Sequence, residues 1–240
     1  MAPPSWVGLF SGGKDSSWAV YRAQEAGLPL RSLLTVHAPP ASYMYHVPAT
    51  QLCALAATAM DLPLVEVGYD GPDPAVAADA GDQGDAETAA LEGALRSYDA
   101  ACDGCLIGVT AGAIASRFQT DRIRALCDRL AIDLYAPLWQ ADPEELGRSM
   151  IDAGFDIRII QVAAAGLDAG WLGRRLDHDA LDELLSLRAE VGVHPLGEGG
   201  EYETLVVDGP HMRRRIAIAG EPHFADGAGR FTITDARLVS

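Results

Sequence analysis

The sequence predicts an α/β protein in which a parallel β-sheet, covered by helices on both faces, is followed by a smaller α+β domain. Three observations support this fold class. Short apolar runs alternate with helical stretches through the first part of the chain. A glycine loop joins the first apolar run to the first helix. The 240 residues are 49% hydrophobic with a mean hydropathy of +0.07, so the chain can bury a substantial core.

The strands of the first domain are predicted from their apolar runs. They are expected at residues 6–10, 31–37, 64–67, 105–109 and 132–135. The first helix is expected at residues 17–26, closed by Gly27, and a later helix at residues 116–130. Ligands of parallel sheets lie beyond the carboxyl ends of the strands. The loops after the first, second and fourth strands should therefore line one crevice.

The domain boundary is predicted at Pro137, which divides a nucleotide-binding domain (1–136) from a substrate domain (137–240). Residues 70–86 are rich in Gly, Pro and Asp, so we expect a mobile solvent loop there, with an active-site role as the minority alternative. The substrate domain is predicted to contain a helix at 143–153, a strand at 157–162, a helix at 177–191 and a strand at 204–208.

The loop Ser11-Gly12-Gly13-Lys14-Asp15-Ser16 predicts a phosphate site. Its glycines let backbone N–H groups face an anion, the following helix adds its dipole, and Lys14 adds a compact positive charge. A Walker-type NTPase loop is excluded, because Asp15 stands where that loop requires a magnesium-binding hydroxyl and Gly8 falls within the strand.

Lys14 is the only lysine, since the other basic residues are all arginine. The chain carries 34 acidic and 18 basic residues and a net charge of −16. An acidic chain almost without lysine is typical of a halophilic cytoplasm, where salt screens self-repulsion. A lysine retained in this background indicates a role that arginine cannot fill. The lack of a basic stripe disfavours a nucleic-acid partner.

The sequence shows no signal for export or membrane insertion. It contains no apolar run of roughly 18 residues, and its first residues lack the regions of a signal peptide. Four cysteines are too few for a disulfide framework, so we expect a reducing, cytoplasmic location. Cys102-Asp103-Gly104-Cys105 is a weak signal for metal or redox chemistry, and its centre predicts the turn before the fourth strand.

The loop from Ser11 to Ser16 resembles the pyrophosphate loop (PP-loop) of the ATP pyrophosphatases, which cleave ATP to AMP and pyrophosphate while activating a carbonyl or carboxyl group. That resemblance implies a Rossmann-like (HUP-type) nucleotide-binding domain. Other segments carry a narrower resemblance. They are Ser42-Tyr43-Met44-Tyr45-His46, Gly112-Ala113-Ile114, residues 116–127, Pro137-Leu138-Trp139, residues 166–173 and residues 197–205.

Together these segments are similar to the diphthine–ammonia ligase family, the enzymes of the last step of diphthamide synthesis on translation elongation factor 2. The resemblance implies that diphthine is amidated with ammonium. ATP, with Mg²⁺, first activates the carboxyl group as an acyl-adenylate. The chain departs from the family pattern at Phe118, Arg124, Ser149 and Gln161. The residues outside the nucleotide domain are too few for an amidotransferase domain, so free ammonium is the expected donor.

The resemblance and the residue chemistry together predict the nucleotide site. Its cradle is Ser11, Gly12, Gly13, Lys14 and Ser16, with Lys14 and Asp15 among the catalytic residues. Asp15 is either a magnesium ligand or the cap of the first helix. His37 lies beside adenine or is only a strand-end residue. Ser116, Gln119 and Arg122 share one helix face, where Arg122 binds a phosphate or carboxylate or forms a surface salt bridge.

The substrate site is predicted in two segments. Tyr43, Tyr45 and His46 either close over the ligands or pack in the core. The second segment, with Trp139 as a further wall, comprises Glu198, Gly199, Gly200, Glu201, Tyr202, Glu203 and Thr204. Close carboxylates attract a cation, and diphthine carries a quaternary ammonium; a solvated acidic cluster is the alternative. Glu201 is also expected to be catalytic.

Two other functions stay open from the sequence alone. One is a different adenylating PP-loop enzyme, acting in another amidation or in tRNA modification. The other is an adenine-nucleotide-binding module without catalysis. Four histidines without ligand spacing are expected to be ordinary polar residues: His178, His194, His211 and His223. The sequence leaves the oligomeric state open, a homo-oligomer included.

Overall fold

A computed structural model describes residues 2–37, 52–68, 80–112 and 117–240, with the side chains of 80–87 and 117–119 outside that description. Two β-sheets organise this part of the chain. One has five parallel strands and the other has four antiparallel strands. The fold class predicted from the sequence is confirmed.

The parallel sheet has the strand order β3-β2-β1-β4-β5. Its strands are β1 (Ser5–Leu9), β2 (Leu30–His37), β3 (Leu64–Gly68), β4 (Leu106–Thr110) and β5 (Asp133–Tyr135). The central strand β1 pairs with β2 on one side and with β4 on the other. The direction of chain progression reverses between β1 and β4. In open parallel sheets, ligands bind at such a switch point, outside the carboxyl ends of the strands.

Four helices accompany this sheet. They are α1 (Lys14–Glu25), α2 (Cys53–Met60), α3 (Ala80–Ala101) and α4 (Arg117–Leu130). The predicted loop at 70–86 is wrong from residue 80 onward, where α3 begins, while residues 69–79 lie outside the described residues. Leu91 and Leu95 of α3 are buried in a core cluster with residues of β1, β2 and β4. This packing offsets the poor helix propensity of the glycines in the first turns.

The antiparallel sheet has the order β7-β6-β9-β8. Its elements are α5 (Pro143–Asp152), β6 (Asp156–Val162), a short 3₁₀ helix (Ala169–Trp171), α6 (His178–Val191), β7 (Tyr202–Asp208), β8 (Arg215–Ala225) and β9 (Ala228–Val239). The β8–β9 hairpin was not predicted from the sequence. Asp226 and Gly227 at its turn have φ values of 53° and 81°, as a type I′ turn requires, and this Asp-Gly pair was the available signal.

Helix α1 lies between the two sheets. Trp18 and Ala19 belong to a core cluster whose other buried members all follow residue 137. On another face, Val20 shares a cluster with Leu33 of β2 and Leu205 of β7. The sheets are therefore packed on a common helix. The boundary between residues 136 and 137 falls between β5 and α5 and stays a prediction.

Cys102 and Cys105 form a disulfide, with Cα atoms 5.4 Å apart. No disulfide was predicted from the four cysteines, so this bond corrects the prediction. Asp103 and Gly104 have φ values of 54° and 73°, so the chain folds back sharply enough for the two sulfur atoms to meet. The predicted turn before β4 is confirmed. Across the described residues, no helix is both long and apolar enough to cross a membrane.

Candidate functional site

The predicted phosphate loop lies between β1 and α1, at the switch point of the parallel sheet. Ser11 N donates a hydrogen bond to Ser16 Oγ at 3.2 Å, and Ser16 Oγ donates to the Gly13 carbonyl at 3.2 Å. Gly12 has a φ of 80°, a conformation that favours glycine. Within the described part of the chain, the Gly12 and Gly13 amides have no protein acceptor. The loop thus offers two N–H groups beside the positive end of α1.

The second domain holds this loop in place through β7. Lys14 N donates to the Thr204 hydroxyl at 3.1 Å, and Val206 N donates to the Gly12 carbonyl at 2.9 Å. Thr204 is buried. Since β7 is an edge strand of its sheet, the loop continues that edge. The shape of the loop therefore depends on both domains.

Lys14 and Asp15 form an ion pair at the start of α1. Lys14 is only 4% exposed, and its Nζ lies 2.8 Å from Asp15 Oδ2 and 5.6 Å from the centre of the Tyr202 ring. Asp15 does not cap α1, because the N-cap is Gly13 and no side chain caps the helix. The capping alternative is wrong. Asp15 Oδ1 is buried and lacks a hydrogen-bond partner among the described residues, so it can accept from a ligand or cation.

Gly112 completes the loop's environment, although the sequence analysis did not select it as a site residue. A Cβ at this position would lie 2.5 Å from the Asp15 carbonyl carbon and 2.6 Å from Ser16 N. Both are backbone atoms, so relieving the contact would require a shift of the main chain. Only glycine lets the segment after β4 approach α1 this closely. Its place beyond the fourth strand, at the predicted crevice, was the signal that could have identified it.

The glycine-rich loop before β7 is closed by its own hydrogen bonds. The Glu201 carboxylate accepts from His194 N at 3.0 Å and from Gly199 N at 2.7 Å. His194 Nδ1 accepts from Leu196 N at 3.2 Å and from Glu198 N at 3.4 Å. Glu201, predicted to be catalytic, is engaged here in holding the loop. His194, predicted to be an ordinary polar residue, organises it.

Tyr202 contacts both this loop and Lys14. It is 2% exposed, and its hydroxyl donates to the Pro195 carbonyl at 2.6 Å. Burial raises the pKa of Tyr202 well above its usual value of 10.0, and nearby carboxylates raise it further. Those carboxylates belong to Asp15, Glu201, Glu198 and Glu203.

The predicted role of this acidic segment in binding the quaternary ammonium of the substrate stays a prediction. Among the residues whose positions are described, no group of three or more His, Cys, Asp or Glu side chains is arranged to hold a metal ion. The reason is that both oxygens of Glu201 turn back to backbone amides of the loop. Glu198 and Glu203 remain close enough to influence Tyr202.

The remaining predicted site residues lie on β2, on α4, in the turn after β5 or outside the described residues. His37, at the end of β2, lies 2.9 Å from Glu66 of β3, Nε2 to Oε1, on an exposed surface. Arg122 is half-buried on α4, and Trp139 is half-buried in the turn after β5. The positions outside the described residues are Tyr43, Tyr45, His46, Ser116 and the side chain of Gln119.

His211 corrects a second expectation about the histidines. It is 6% exposed and stacks on Phe155 with ring centres 4.9 Å apart. In the described structure, neither ring nitrogen has a hydrogen-bond partner. Burial lowers the pKa of His211 from 6.5 to about 4. His211 is therefore a buried, neutral aromatic residue rather than an ordinary polar one.

Comparison with known proteins covers both domains. Residues 5–134 match the diphthamide synthase N-terminal domain, and residues 142–239 match the diphthamide synthase C-terminal domain. The chain belongs to the diphthamide synthase family. The family resemblance drawn from the sequence is thus confirmed, and the phosphate loop lies in the N-terminal domain of this family.

Two curated relatives illustrate the similarity, and both are named diphthine–ammonia ligase. The Schizosaccharomyces pombe protein is 34% identical over 217 residues, which cover 88% of this chain and 36% of that protein. The Danio rerio protein is 34% identical over 220 residues, which cover 88% of this chain and 85% of that protein. The family member described here thus spans about a third of the yeast relative and most of the fish relative.

One solved structure is also similar to this family member. It is described as a predicted subunit of tRNA methyltransferase from Methanocaldococcus jannaschii. It aligns with a TM-score of 0.43 and 19% identity, over 87% of this chain and 98% of that chain.

Proposed function

We propose that this protein amidates diphthine on translation elongation factor 2, consuming ATP and ammonium and releasing AMP and pyrophosphate. One observation carries the proposal: a buried lysine and two loop amides, which have no acceptor among the described residues, lie at the switch point of the sheet in a member of the diphthamide synthase family. Relatives named diphthine–ammonia ligase support the choice of substrate.

In the proposed reaction, the loop binds the phosphates of ATP. Lys14 and the Gly12 and Gly13 amides are the donors, and Ser11 and Ser16 keep the loop in shape. A carboxylate oxygen of diphthine bonds to the α-phosphorus, and pyrophosphate leaves. Ammonium gives a proton to water, and the resulting ammonia attacks the activated carbonyl. AMP leaves with the electron pair of the cleaved C–O bond, and the nitrogen gives a second proton to water to form the amide. Positive charge with a low exposure to water stabilises the charge that develops on pyrophosphate.

Magnesium fits this site beside Asp15. Its buried Oδ1 has no partner among the described residues, and magnesium prefers carboxylate, phosphate and water oxygens. Asp15 would hold the ion, and its other ligands would come from phosphates and water, since the described residues offer no larger group of side-chain ligands there. The ion would neutralise charge on the phosphates.

The acidic segment before and within β7 is proposed to receive the substrate side chain. Glu198 and Glu203 lie close enough to raise the pKa of the buried Tyr202, and Lys14 Nζ lies 5.6 Å from the centre of the Tyr202 ring. Carboxylates attract the quaternary ammonium of diphthine, and this segment is joined to the phosphate loop through Thr204. The lysine-poor composition with a charge of −16 further supports our proposal of a salt-rich cytoplasm as the protein's location.

Labelled ATP tests the proposed function. The protein is incubated with magnesium, ammonium and one of three acceptors: elongation factor 2 carrying diphthine, the unmodified factor, or tRNA. We expect AMP and amide only with the diphthine-bearing factor, and loss of both with Lys14→Gln. Turnover with tRNA, or ATP binding without turnover on any acceptor, would overturn the proposal. Deletion of the gene should leave the modified histidine of the factor as the acid.

A further inference from the structure

Residues 194–200 of the glycine-rich loop before β7 use all of their backbone donors within that loop. Pro195 has no N–H, and the other residues from 194 to 200 each donate to an acceptor within the loop. The acceptors are Glu201 Oε1 and Oε2, His194 Nδ1, the His194 carbonyl and the Gly197 carbonyl. Residues 194–200 therefore have no amide left for an anion, in contrast to Gly12 and Gly13 of the phosphate loop. What it holds in position are carboxylates.

His194 takes part in four of the hydrogen bonds within this loop. Its N–H binds Glu201, its carbonyl accepts from Gly197 N at 2.9 Å, and its Nδ1 accepts from two further amides. A ring nitrogen that accepts hydrogen bonds carries no hydrogen, so the neutral ring must be protonated on Nε2. A second proton could go only to Nδ1. It would then place an N–H against the N–H groups of Leu196 and Glu198.

We propose that His194 is a positioning residue, required in its neutral form to hold the glycine-rich loop before β7 in the shape that receives the substrate. The inference rests on the proposed function for the identity of that substrate. The loop is also tied to the phosphate site, because the Tyr202 hydroxyl donates to Pro195 and the Tyr202 ring faces Lys14. Opening the loop would therefore disturb the environment of Lys14 as well.

The charged groups around His194 come from three parts of the fold. They are Glu201 of the same segment, Lys14 and Asp15 of α1, and Arg188 of α6. Burial lowers the pKa of His194 below 6.5; Glu201 and Asp15 act against this shift, and Lys14 and Arg188 add to it. The neutral form therefore predominates above pH 6.5 and is lost as the pH falls through the lowered pKa.

The test uses Asn at position 194, because Asn Oδ1 accepts where His Nδ1 does and does not titrate. The activity measured is exchange of labelled pyrophosphate into ATP, dependent on the diphthine-bearing factor. Ammonium is omitted, since its own ionisation depends on pH.

His194→Asn should keep the parent's activity at neutral pH and lack the parent's loss of activity in acid. At neutral pH, His194→Ala should be about tenfold or more less active than the parent, equivalent to about one hydrogen bond. The difference from the parent should shrink in acid, where the parent's Nδ1 no longer accepts. His178→Asn, on the exposed start of α6, should retain the parent's acid loss.

An acid loss in His194→Asn equal to the parent's, or full activity in His194→Ala, would overturn the inference. A second measurement does not use activity. In the ¹⁵N NMR spectrum of the parent, His194 should be the Nε2–H tautomer, and the Leu196 and Glu198 amide signals should shift in acid, but not in His194→Asn. An Nδ1–H tautomer would contradict the inference. If the NMR result holds while no acceptor supports exchange, the proposed function fails and the role of His194 in the loop stands.

Discussion

The backbone amide of Lys14 donates a hydrogen bond to the hydroxyl of Thr204, 190 residues further along the chain, at 3.1 Å. Lys14 belongs to the N-terminal domain and Thr204 to the C-terminal domain, and both residues are buried. A buried amide without an acceptor costs roughly 1–3 kcal/mol. The second domain therefore supplies part of the free energy that keeps the phosphate loop in its binding shape.

Replacement of Thr204 by valine should weaken ATP binding. The substitution keeps the side chain's shape but removes the acceptor of Lys14 N. We expect the free energy of unfolding to fall by about 1–3 kcal/mol and the Kd for ATP to rise about tenfold or more. Urea denaturation and calorimetric titration measure these quantities. Thr204→Ser, which keeps the hydroxyl, should be close to the parent, and unchanged ATP affinity in Thr204→Val would refute the coupling.

Replacement of Gly112 by alanine should disrupt the same loop from the other side. The added Cβ would meet the backbone of Asp15 at 2.5 Å, so α1 or the segment after β4 must shift. We expect a loss of about 1–3 kcal/mol of stability and strongly reduced ATP binding. Gly93→Ala on α3 is the control, because its Cβ would meet nothing within 4 Å. That control should be neutral or stabilising by about 0.5–1 kcal/mol.

Stability should fall in acid because of His211. Its pKa is about 4 in the folded chain and 6.5 when exposed, so the unfolded state binds the proton more readily. The stability due to this group is complete above pH 6.5 and declines as the pH drops toward 4, by about 3 kcal/mol in all. His211→Phe keeps a ring against Phe155 and removes this dependence. Urea denaturation across this pH range should show the difference, whereas His223→Gln, at an exposed position, should follow the parent.

Thiol alkylation should distinguish the cysteines by their environment. Burial raises the pKa of both Cys53 and Cys127 to about 12, so neither should react in the native protein. Denaturation without reductant should expose these two thiols, and denaturation with a dithiol reductant should expose all four. Mass spectrometry counts the adducts. Four adducts without reductant would show that Cys102 and Cys105 are not paired.

Salt should stabilise the protein. With a net charge of −16 and a single lysine, the folded chain repels itself. The screening length shortens from about 10 Å at 0.1 M salt to about 3 Å at 1 M. We therefore expect Tm to rise with potassium chloride concentration in scanning calorimetry. A Tm that is flat or falls over this range would contradict the proposed adaptation to salt.

Local signals made the parallel sheet and the phosphate loop predictable. Apolar runs marked the strands, and two glycines before a lone lysine marked the anion site. The role of Glu201 could not be predicted in the same way, because its partners are backbone amides that meet it only after the loop closes. His211 was equally hidden, since it stacks on Phe155, which lies more than 50 residues earlier, just before β6.

The start of α3 and the Cys102–Cys105 pair depended on context in a different manner. Glycine and aspartate at residues 80–86 favour a loop locally, and the helix there is sustained by burial further along, at Leu91 and Leu95. The disulfide required two consecutive residues in the left-handed conformation, which the Asp-Gly dipeptide allows but does not dictate.

Helix α1 has a consequence for attempts to separate or exchange the two domains. Trp18 is inserted into the core of the C-terminal domain, while the same helix begins with the phosphate loop of the N-terminal domain. A truncated N-terminal fragment would present that indole to water, and a chimaera would have to reproduce its pocket. The two domains therefore cannot be exchanged independently. A protein engineered to carry this nucleotide site must also carry the C-terminal surface that packs on Trp18.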